Sequence, residues 1–274
     1  MTPGRPDPAS RHAADVAFAR EIAERAGRLL LERYERVGRV DYKSARDIVT
    51  EVDHLSERLI LGAIRERFPG DGILAEESGA HRDAARSLAR GRTWIVDPID
   101  GTINYANGIP VFCVSVGLAV DGRPAAGAVH DPMRGETFSA TVDGPARLGD
   151  TPIRASDKPL LSDCVVSLAL GGRAVATRAR AVRRAIRVSR SMGSSALALA
   201  YVANGRFDAF IQSGGMSAWD CAAAGLIAER AGAVVTDARG GPWFDVEKTD
   251  RAFGIVAAPA AHHAELLRLS REAA

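Results

Sequence analysis

The sequence predicts a fold of two halves, an α+β half with an antiparallel sheet over residues 12–150 and an α/β half over residues 151–272. Apolar residues recur at helical spacing in two segments near the N-terminus. Three β-rich runs then follow one another with only short turns between them, as strands of an antiparallel sheet do. After residue 150, strand-like and helix-like segments alternate, which is typical of α/β structure. We expect the halves to form a single unit.

The first half begins with two helices. Helical spacing of apolar residues predicts one helix from Ala13 to about Arg36 and another from about Thr50 to Phe68, joined by the extended connector DYKSARDIV. Residues 1–11 carry Pro and Gly without apolar periodicity, and they are expected to be a disordered tail.

Strands follow in both halves. In the first half we expect a short strand in PGDGILAEESG, one from Trp94, and three more in VFCVSVGLAV, RPAAGAVHDP and GETFSATV, the last three separated by turns at DGR and MRGE. In the second half, the predicted strands are CVVSLAL, IRVSR, FDAFI, GAVVTD and FGIVAA, and helices are expected near 173–185, 195–203, 218–230 and 260–270. We expect His262 and His263, on the last helix, to be surface residues.

Composition excludes several classes of function. A net charge of +2 gives no indication of nucleic acid or an anionic membrane as partner. The three cysteines, Cys113, Cys164 and Cys221, lack C-x-x-C spacing, which argues against a disulfide framework or a zinc site and fits a reducing compartment. No apolar run reaches the ~18 residues of a membrane span. Neither a serine-hydrolase elbow nor a P-loop is present. The expected location is the cytoplasm.

Acidic residues stand at the edges of four predicted elements. They are Asp53 in TEVDH, Glu76 in AEESG, the pair Asp97 and Asp100 in WIVDPIDGT, and Asp220 in AWDCAAAG. Taken singly, most have a structural explanation. The spacing from Thr50 to Asp53 matches a capping box, and Asp220 can cap the helix that follows it.

The pair Asp97 and Asp100 is harder to explain structurally. A predicted strand ends at Asp97, and the turn then holds a second carboxylate, Gly101, which permits close backbone approach, and Thr102. Crowded carboxylates repel one another unless a cation neutralises them, and that cation can be an arginine or a metal ion. No His or Cys lies in AEESG or WIVDPIDGT, so an all-oxygen site favours Mg²⁺ over zinc.

Together these motifs resemble the inositol monophosphatase family. AEESG, WIVDPIDGTINY and AWDCAAAG occur in the family's order and at its separations, and KSARDIVTEVD, SRSMGSSALALAYVANGRFDAFI and AERAGAVVTDARGGPW are similar to further family segments. The resemblance covers roughly residues 13–272. It implies a layered α-β-α-β-α sandwich of the sugar-phosphatase type. It also implies a Mg²⁺-dependent, lithium-sensitive phosphomonoesterase that is often a homodimer.

The resemblance also implies roles for individual residues. It implies two Mg²⁺ ions. The first would be held by Glu76, Asp97 and the Ile99 carbonyl, and the second by Asp97, Asp100 and Asp220. A third, weaker site near Glu76 is also implied. Thr102 and Asp53 would orient and deprotonate the attacking water, a role that leaves no capping function for Asp53. Residues implied in phosphate and substrate binding are Gly101, Thr102, Asp100, Gly193, Ser194 and Ser213.

Two departures from the family pattern concern the substrate. Ile103 replaces a hydroxyl residue beside the motif, and Ser213 stands where inositol-specific relatives carry a glutamate. Inositol 1-phosphate is the first substrate expected among small phosphorylated polyols and sugars. Histidinol phosphate, fructose 1,6-bisphosphate and 3′-phosphoadenosine 5′-phosphate are the alternatives. A different hypothesis is a non-catalytic scaffold or regulator that uses the Arg-rich stretches 82–92 and 173–190 to bind a partner.

Overall fold

The fold is a five-layer stack in which helices and sheets alternate. The computed structural model describes residues 10–36, 38, 40–44, 47–81, 90–172, 174–248 and 251–271. Residues 1–9 of the expected tail and 82–89 of the first Arg-rich stretch lie outside this range. In the described part of the chain, no helix has both the length and the apolar character needed to cross a bilayer.

The first half holds three helices and ten strands. Their bounds are α1 (Ala13–Arg33), β1 (Val40–Ser44), β2 (Asp47–Thr50), α2 (Glu51–Arg67), β3 (Gly72–Ala75), β4 (Gly79–His81), β5 (Arg92–Asp100), α3 (Thr102–Ala106), β6 (Cys113–Val120), β7 (Arg123–Asp131), β8 (Glu136–Thr141), β9 (Arg147–Leu148) and β10 (Thr151–Pro152). Eight strands form one sheet in the order β10-β9-β8-β7-β6-β5-β3-β4. All neighbours in it are antiparallel except β3 and β5. The expected antiparallel half is therefore confirmed.

The connector of this half forms a hairpin that the sequence did not predict, and the predicted turn at DGR is confirmed. The predicted connector is a hairpin of its own, since β1 and β2 pair antiparallel. The turn between β6 and β7 has positive φ at both Asp121 (49°) and Gly122 (75°), a conformation that matches the twist of a two-residue hairpin.

The second half alternates helices with a mixed five-stranded sheet. Its elements are a 3-10 turn (Leu161–Asp163), β11 (Val165–Ala169), α4 (Val175–Ala185), β12 (Val188–Arg190), α5 (Ser195–Ala203), β13 (Ala209–Met216), α6 (Ala218–Arg230), β14 (Val234–Asp237), β15 (Phe253–Ala258) and α7 (Ala260–Arg271). The sheet order is β12-β11-β13-β15-β14. The strand β11 is parallel to β12 and β13, whereas β15 is antiparallel to its two neighbours.

The central layer of the stack is made by α5 and α6. Both helices pack against the eight-stranded sheet on one side and the five-stranded sheet on the other, while α1 and α2 cover the first sheet and α4 and α7 the second. The helix α6 lies very close to β7, since a Cβ atom on Gly127 would be 2.8 Å from Ala223 Cα. The expected α-β-α-β-α sandwich is confirmed.

The prediction that His262 and His263 are surface residues is wrong. Both are buried, because the first turn of α7 faces inward towards its sheet. His262 Nε2 lies 2.7 Å from the Lys158 carbonyl oxygen and therefore donates to it, and His263 Nε2 lies 3.0 Å from Thr236 Oγ1. Their roles are hydrogen bonds within the second half, away from the acidic motifs.

Candidate metal centre and active site

Three of the four acidic motifs meet in one cavity between the two halves, and the fourth contributes Asp53, which is hydrogen-bonded to the lining residue Thr102. The cavity has a volume of about 340 Å³. The described residues that line it are Glu76, Asp97, Ile99, Asp100, Gly101, Thr102, Ile103, Gly193, Gly215, Ser217, Trp219, Asp220 and Arg251. The structure thus brings together segments that are more than 120 residues apart in sequence.

Three carboxylates in this cavity are close enough to share a cation. One carboxylate oxygen from each of Asp97, Asp100 and Asp220 lies within 4.8 Å of the others. Burial raises the pKa of Asp97 well above its ordinary value, and the negative charges of Glu76, Asp100 and Asp220 raise it further. Without a cation the cluster is therefore electrostatically unfavourable as an ionised set. An all-oxygen set of this kind suits a hard divalent ion.

The turn after β5 has a geometry that depends on glycine. The backbone N–H of Ile99 donates to Asp97 Oδ1 at 3.0 Å, which fixes the first carboxylate of the turn. Gly101 has φ 103°, and a Cβ atom there would lie 3.0 Å from the Val111 carbonyl oxygen. Both facts require glycine, as the sequence predicted from close backbone approach. The helix α3 begins at the next residue, Thr102.

Asp53 combines two functions that the sequence reading treated as exclusive. Its Oδ2 accepts hydrogen bonds from the Thr50 backbone N–H at 2.7 Å and from Thr50 Oγ1 at 2.6 Å, which completes a capping box at the start of α2. Its Oδ1 accepts from Thr102 Oγ1 at 3.0 Å. The expectation that contact with Thr102 displaces the capping box is wrong, because each oxygen serves one function.

Asp100 joins the first half of the chain to the N-terminus of α5. Its Oδ2 accepts from the Ser194 hydroxyl and from the backbone N–H of Ala196 at 2.7 Å, and its Oδ1 accepts from the N–H of Ser195 at 3.2 Å. Burial raises the pKa of Asp100, although these hydrogen bonds to its charged form lower it. Negative charge at a helix N-terminus is favourable because the amide dipoles point towards it.

Asp220 repeats the arrangement of Asp53 at the start of α6. One of its oxygens, Oδ2, accepts from the backbone N–H of Ser217 at 2.5 Å. Asp220 therefore caps α6 as the partner of the N-cap residue Ser217, and not as the N-cap that the sequence suggested, because α6 begins at Ala218. Asp220 also lines the cavity. Burial raises its pKa well above the ordinary value, the charge of Asp100 adds to the rise, and the positive charge of Arg251 acts in the opposite direction.

Three implied substrate residues occupy different places. Gly193 lines the cavity, with φ 75° and with a notional Cβ atom only 2.9 Å from Asn104 Nδ2. The buried Ser194 directs its hydroxyl to Asp100. Ser213 does not line this cavity, and it lines another one with Arg178 and Arg239. Its hydroxyl accepts from the backbone N–H of Gly171 at 2.9 Å.

Sequence reasoning missed Asn104 and Arg251. Asn104 Nδ2 donates to the Val111 carbonyl at 2.7 Å and to the Met192 carbonyl at 2.8 Å, so it ties α3 to the loop that carries Gly193. Its position just after the motif was the available signal. Arg251 stands 31 residues beyond Asp220 and outside every motif, among many other arginines, and only the fold shows that it reaches the cavity.

The comparisons with known proteins agree with this geometry. A model of the inositol monophosphatase family matches residues 13–274. The Nus factor SuhB of Pasteurella multocida is 37% identical over 82% of this chain and 85% of its own length. The fructose-1,6-bisphosphatase/inositol-1-monophosphatase of Thermotoga maritima is 36% identical over 81% of this chain and 84% of its own. The crystal structure of extragenic suppressor protein SuhB from Bartonella henselae superposes with a TM-score of 0.87 and 31% identity, over 95% of this chain and 100% of that one. The chain therefore belongs to the inositol monophosphatase family, a family of metal-dependent phosphatases.

Proposed function

We propose that the protein hydrolyses a phosphate monoester of a small polyol or sugar with Mg²⁺ as its cofactor, and that inositol 1-phosphate is the first substrate to test. The observation that carries the proposal is the convergence of Asp97, Asp100 and Asp220 in one cavity with Thr102, whose hydroxyl lies 3.0 Å from the buried Asp53. Two separate sets of groups, one for cations and one for a proton, meet there. Both are needed for hydrolysis by an activated water.

The donor set fits two Mg²⁺ ions. Glu76, Asp97 and the Ile99 carbonyl would hold one ion, Asp97, Asp100 and Asp220 the other, and a third ion near Glu76 is part of the proposal. When bound, the ions supply a lowered water pKa and stabilisation of the charge on the phosphate and the leaving oxygen. The fit rests on the chemistry of the donors and on their burial, since Asp97 and Asp100 are buried acids surrounded by further acids.

Thr102 and Asp53 are the residues proposed to remove the proton of the attacking water. The Thr102 hydroxyl lies 3.0 Å both from Asp53 Oδ1 and from the Ile99 carbonyl oxygen, and its single proton serves one acceptor at a time. When the Ile99 carbonyl is a ligand of the first ion, the Thr102 hydroxyl donates to Asp53. The Thr102 oxygen then accepts the proton of the attacking water while its own proton passes to Asp53. The backbone amides of Gly101 and Thr102 are proposed to bind the phosphate.

The remaining substrate candidates are the ones named from the sequence. Fructose 1,6-bisphosphate is favoured among them because a Thermotoga maritima relative is named for activity on both that compound and inositol phosphate. Histidinol phosphate and 3′-phosphoadenosine 5′-phosphate complete the panel. Hydrolysis of none of these with Mg²⁺ present would refute the proposed function.

The scaffold hypothesis has support from a relative named as a Nus factor. A pure scaffold has no use for the six residues Asp53, Glu76, Asp97, Asp100, Thr102 and Asp220. Thr102 is hydrogen-bonded to Asp53 and to the Ile99 carbonyl, and Asp100 is hydrogen-bonded to the backbone N–H of Ala196. We therefore favour the enzyme. Location in the cytoplasm, inhibition by millimolar lithium and assembly as a homodimer are further parts of the proposal, and light scattering of the purified protein tests the last.

A further inference from the structure

Among the described residues that line the cavity, Arg251 is the only one with a cationic side chain. The acidic residues Asp97 and Asp100 come from the end of β5, in the first half. Arg251 precedes β15 and belongs to the second half, on the wall that also carries Gly215 and Ser217. Under the proposed function, a substrate bound between the walls would place its phosphate at the acidic centre and its leaving group towards the opposite wall.

The backbone of Arg251 is held in an uncommon conformation. Its φ is 61°, in the left-handed region that non-glycine residues rarely adopt. Its N–H donates to Ser217 Oγ at 2.9 Å, and its carbonyl accepts from the N–H of Gly215 at 3.0 Å. Strained residues persist where their surroundings fix them, and they cluster at sites of binding and catalysis.

Arg251 adds a positive charge to a cavity whose other charged lining residues are the acids Glu76, Asp97, Asp100 and Asp220. Two divalent cations would balance these four carboxylates, and the guanidinium adds positive charge to the same cavity. Guanidinium groups bind phosphate and carboxylate through paired, charge-assisted hydrogen bonds.

Two nearby polar residues of β13, Gln212 and Ser213, are neutral. Gln212 Oε1 accepts from Ser195 Oγ at 3.0 Å, and the Ser213 hydroxyl is used by Gly171. On the other wall, Ile103 is 50% exposed and apolar. Arg251 is therefore the described group best able to select a charged leaving group.

We propose that Arg251 is a specificity-determining residue that binds a second anionic group, a phosphate or a carboxylate, on the leaving-group side of the substrate. The inference rests on the proposed phosphatase function and deepens it. Its consequence is a preference for phosphate esters whose leaving group is itself anionic over neutral polyol phosphates of the same shape.

The test compares matched substrate pairs with Mg²⁺ saturating. Fructose 1-phosphate is paired with fructose 1,6-bisphosphate, and glycerol 2-phosphate with 2-phosphoglycerate, so that the pairs separate a phosphate from a carboxylate as the second anion. The variants are Arg251→Gln, Arg251→Lys and the control Arg180→Gln on the exposed face of α4. We expect the wild type to have the higher kcat/KM for the anionic member of at least one pair. Arg251→Gln should reduce that ratio roughly tenfold to hundredfold, mainly through KM, with partial recovery in Arg251→Lys.

Binding of a product gives a readout independent of turnover. Fructose 6-phosphate should inhibit the wild type competitively, and Arg251→Gln should raise its inhibition constant by a similar factor, while Arg180→Gln leaves both quantities unchanged. An equal loss on both members of both pairs, or a changed Mg²⁺ requirement with unchanged ratios, would mean that Arg251 is only a counter-ion of Asp220 and would overturn the inference. Absence of phosphate release from every ester in the wild type would instead refute the phosphatase proposal.

Discussion

Asp53 Oδ1 lies 3.0 Å from Thr102 Oγ1, although the two residues belong to different helices and are 49 positions apart. The other oxygen of Asp53 is held by Thr50 at the start of α2. The carboxylate therefore cannot rotate without breaking the capping box, and its Oδ1 is directed at Thr102. A general base needs this kind of fixed orientation.

Replacing Thr102 with valine should remove proton transfer and leave the fold intact. Valine has nearly the same shape and lacks the hydroxyl, so we expect kcat to fall by roughly 10²- to 10⁴-fold. The free energy of unfolding should fall by roughly 1.5–3 kcal/mol, because the lost hydroxyl donates to the buried carboxylate of Asp53. Steady-state kinetics and chemical denaturation measure the two effects.

The matched control for this variant is Thr50→Val. It removes the cap hydroxyl of α2, at a cost of about 1 kcal/mol in stability, while the Thr50 backbone N–H still holds Asp53 Oδ2 and Thr102 keeps its hydroxyl. We expect a much smaller loss of kcat from it. Equal losses from the two variants would contradict a direct role for Thr102.

Asp97→Asn should abolish turnover while stabilising the metal-free protein. Asparagine keeps an oxygen for the N–H of Ile99 and removes one charge from a cluster of mutually repelling acids. In EDTA the free energy of unfolding should therefore rise by roughly 1 kcal/mol. Adding Mg²⁺ should raise the Tm of the wild type and of the exposed control Asp157→Asn, and should have little effect on Asp97→Asn. Retained turnover would show that the metal assignment is wrong.

Ser194→Ala tests how the N-terminus of α5 orients Asp100. The lost hydroxyl donates to a buried carboxylate, so the free energy of unfolding should fall by roughly 1.5–3 kcal/mol. The midpoint of Mg²⁺ activation should rise about tenfold or more, because a ligand loses a group that orients it. Ser195→Ala is the control, since Ser195 contacts Asp100 through its backbone N–H and directs its hydroxyl to Gln212. Equal Mg²⁺ midpoints in the two variants would exclude the orienting role of Ser194.

A pH effect is expected far from the site, at Glu136. Hydrogen bonds from Arg206, with Nη2 at 2.7 Å from Oε1, and from Arg134 lower the pKa of Glu136 from 4.5 to about 2. A carboxyl whose folded pKa is depressed stabilises the fold above its unfolded pKa, and that stability is lost as the pH falls towards 2. Glu136→Gln should therefore be less stable than the wild type at neutral pH, and the difference should narrow on acidification.

Denaturation midpoints measured from about pH 6 to about pH 3 test this effect. Glu229→Gln, at the exposed end of α6, is the control with the same change of charge. If the difference between the wild type and Glu136→Gln is constant across this range, the ion pair with Arg206 is not its source.

Much of the fold could be predicted because it depends on local patterns. The periodicity that predicted a helix from Ala13 reflects burial of one face, and the structure ends that helix at Arg33, close to the expected end. The burial of His262 and His263 depends on how α7 meets the five-stranded sheet, which no local pattern specifies. Spacing alone could likewise not show that the connector before Thr50 folds back into a hairpin.

In the candidate site, too, some residues could be predicted from local sequence and others depend on tertiary packing. Asp97, Ile99 and Asp100 lie within four residues at the end of β5, so their proximity followed from the sequence. Arg251 and Asn104 act across the boundary between the halves, and their partners are set by tertiary packing. Ser213 was assigned through its distance from Asp220 along the chain, but the irregular pairing of β13 between Gln212 and Met216 places its hydroxyl on Gly171.

The contact of Asp100 with the first amides of α5 has a consequence for the order of events during synthesis. The residues that would hold Mg²⁺ are divided between the two halves, and Asp100 takes its final orientation only after α5 has docked. A nascent chain that has completed only its first half therefore lacks both Asp220 and the amides that orient Asp100. Phosphatase activity would begin only when translation and docking are complete, so a truncated or misassembled chain would hydrolyse no cellular phosphate esters.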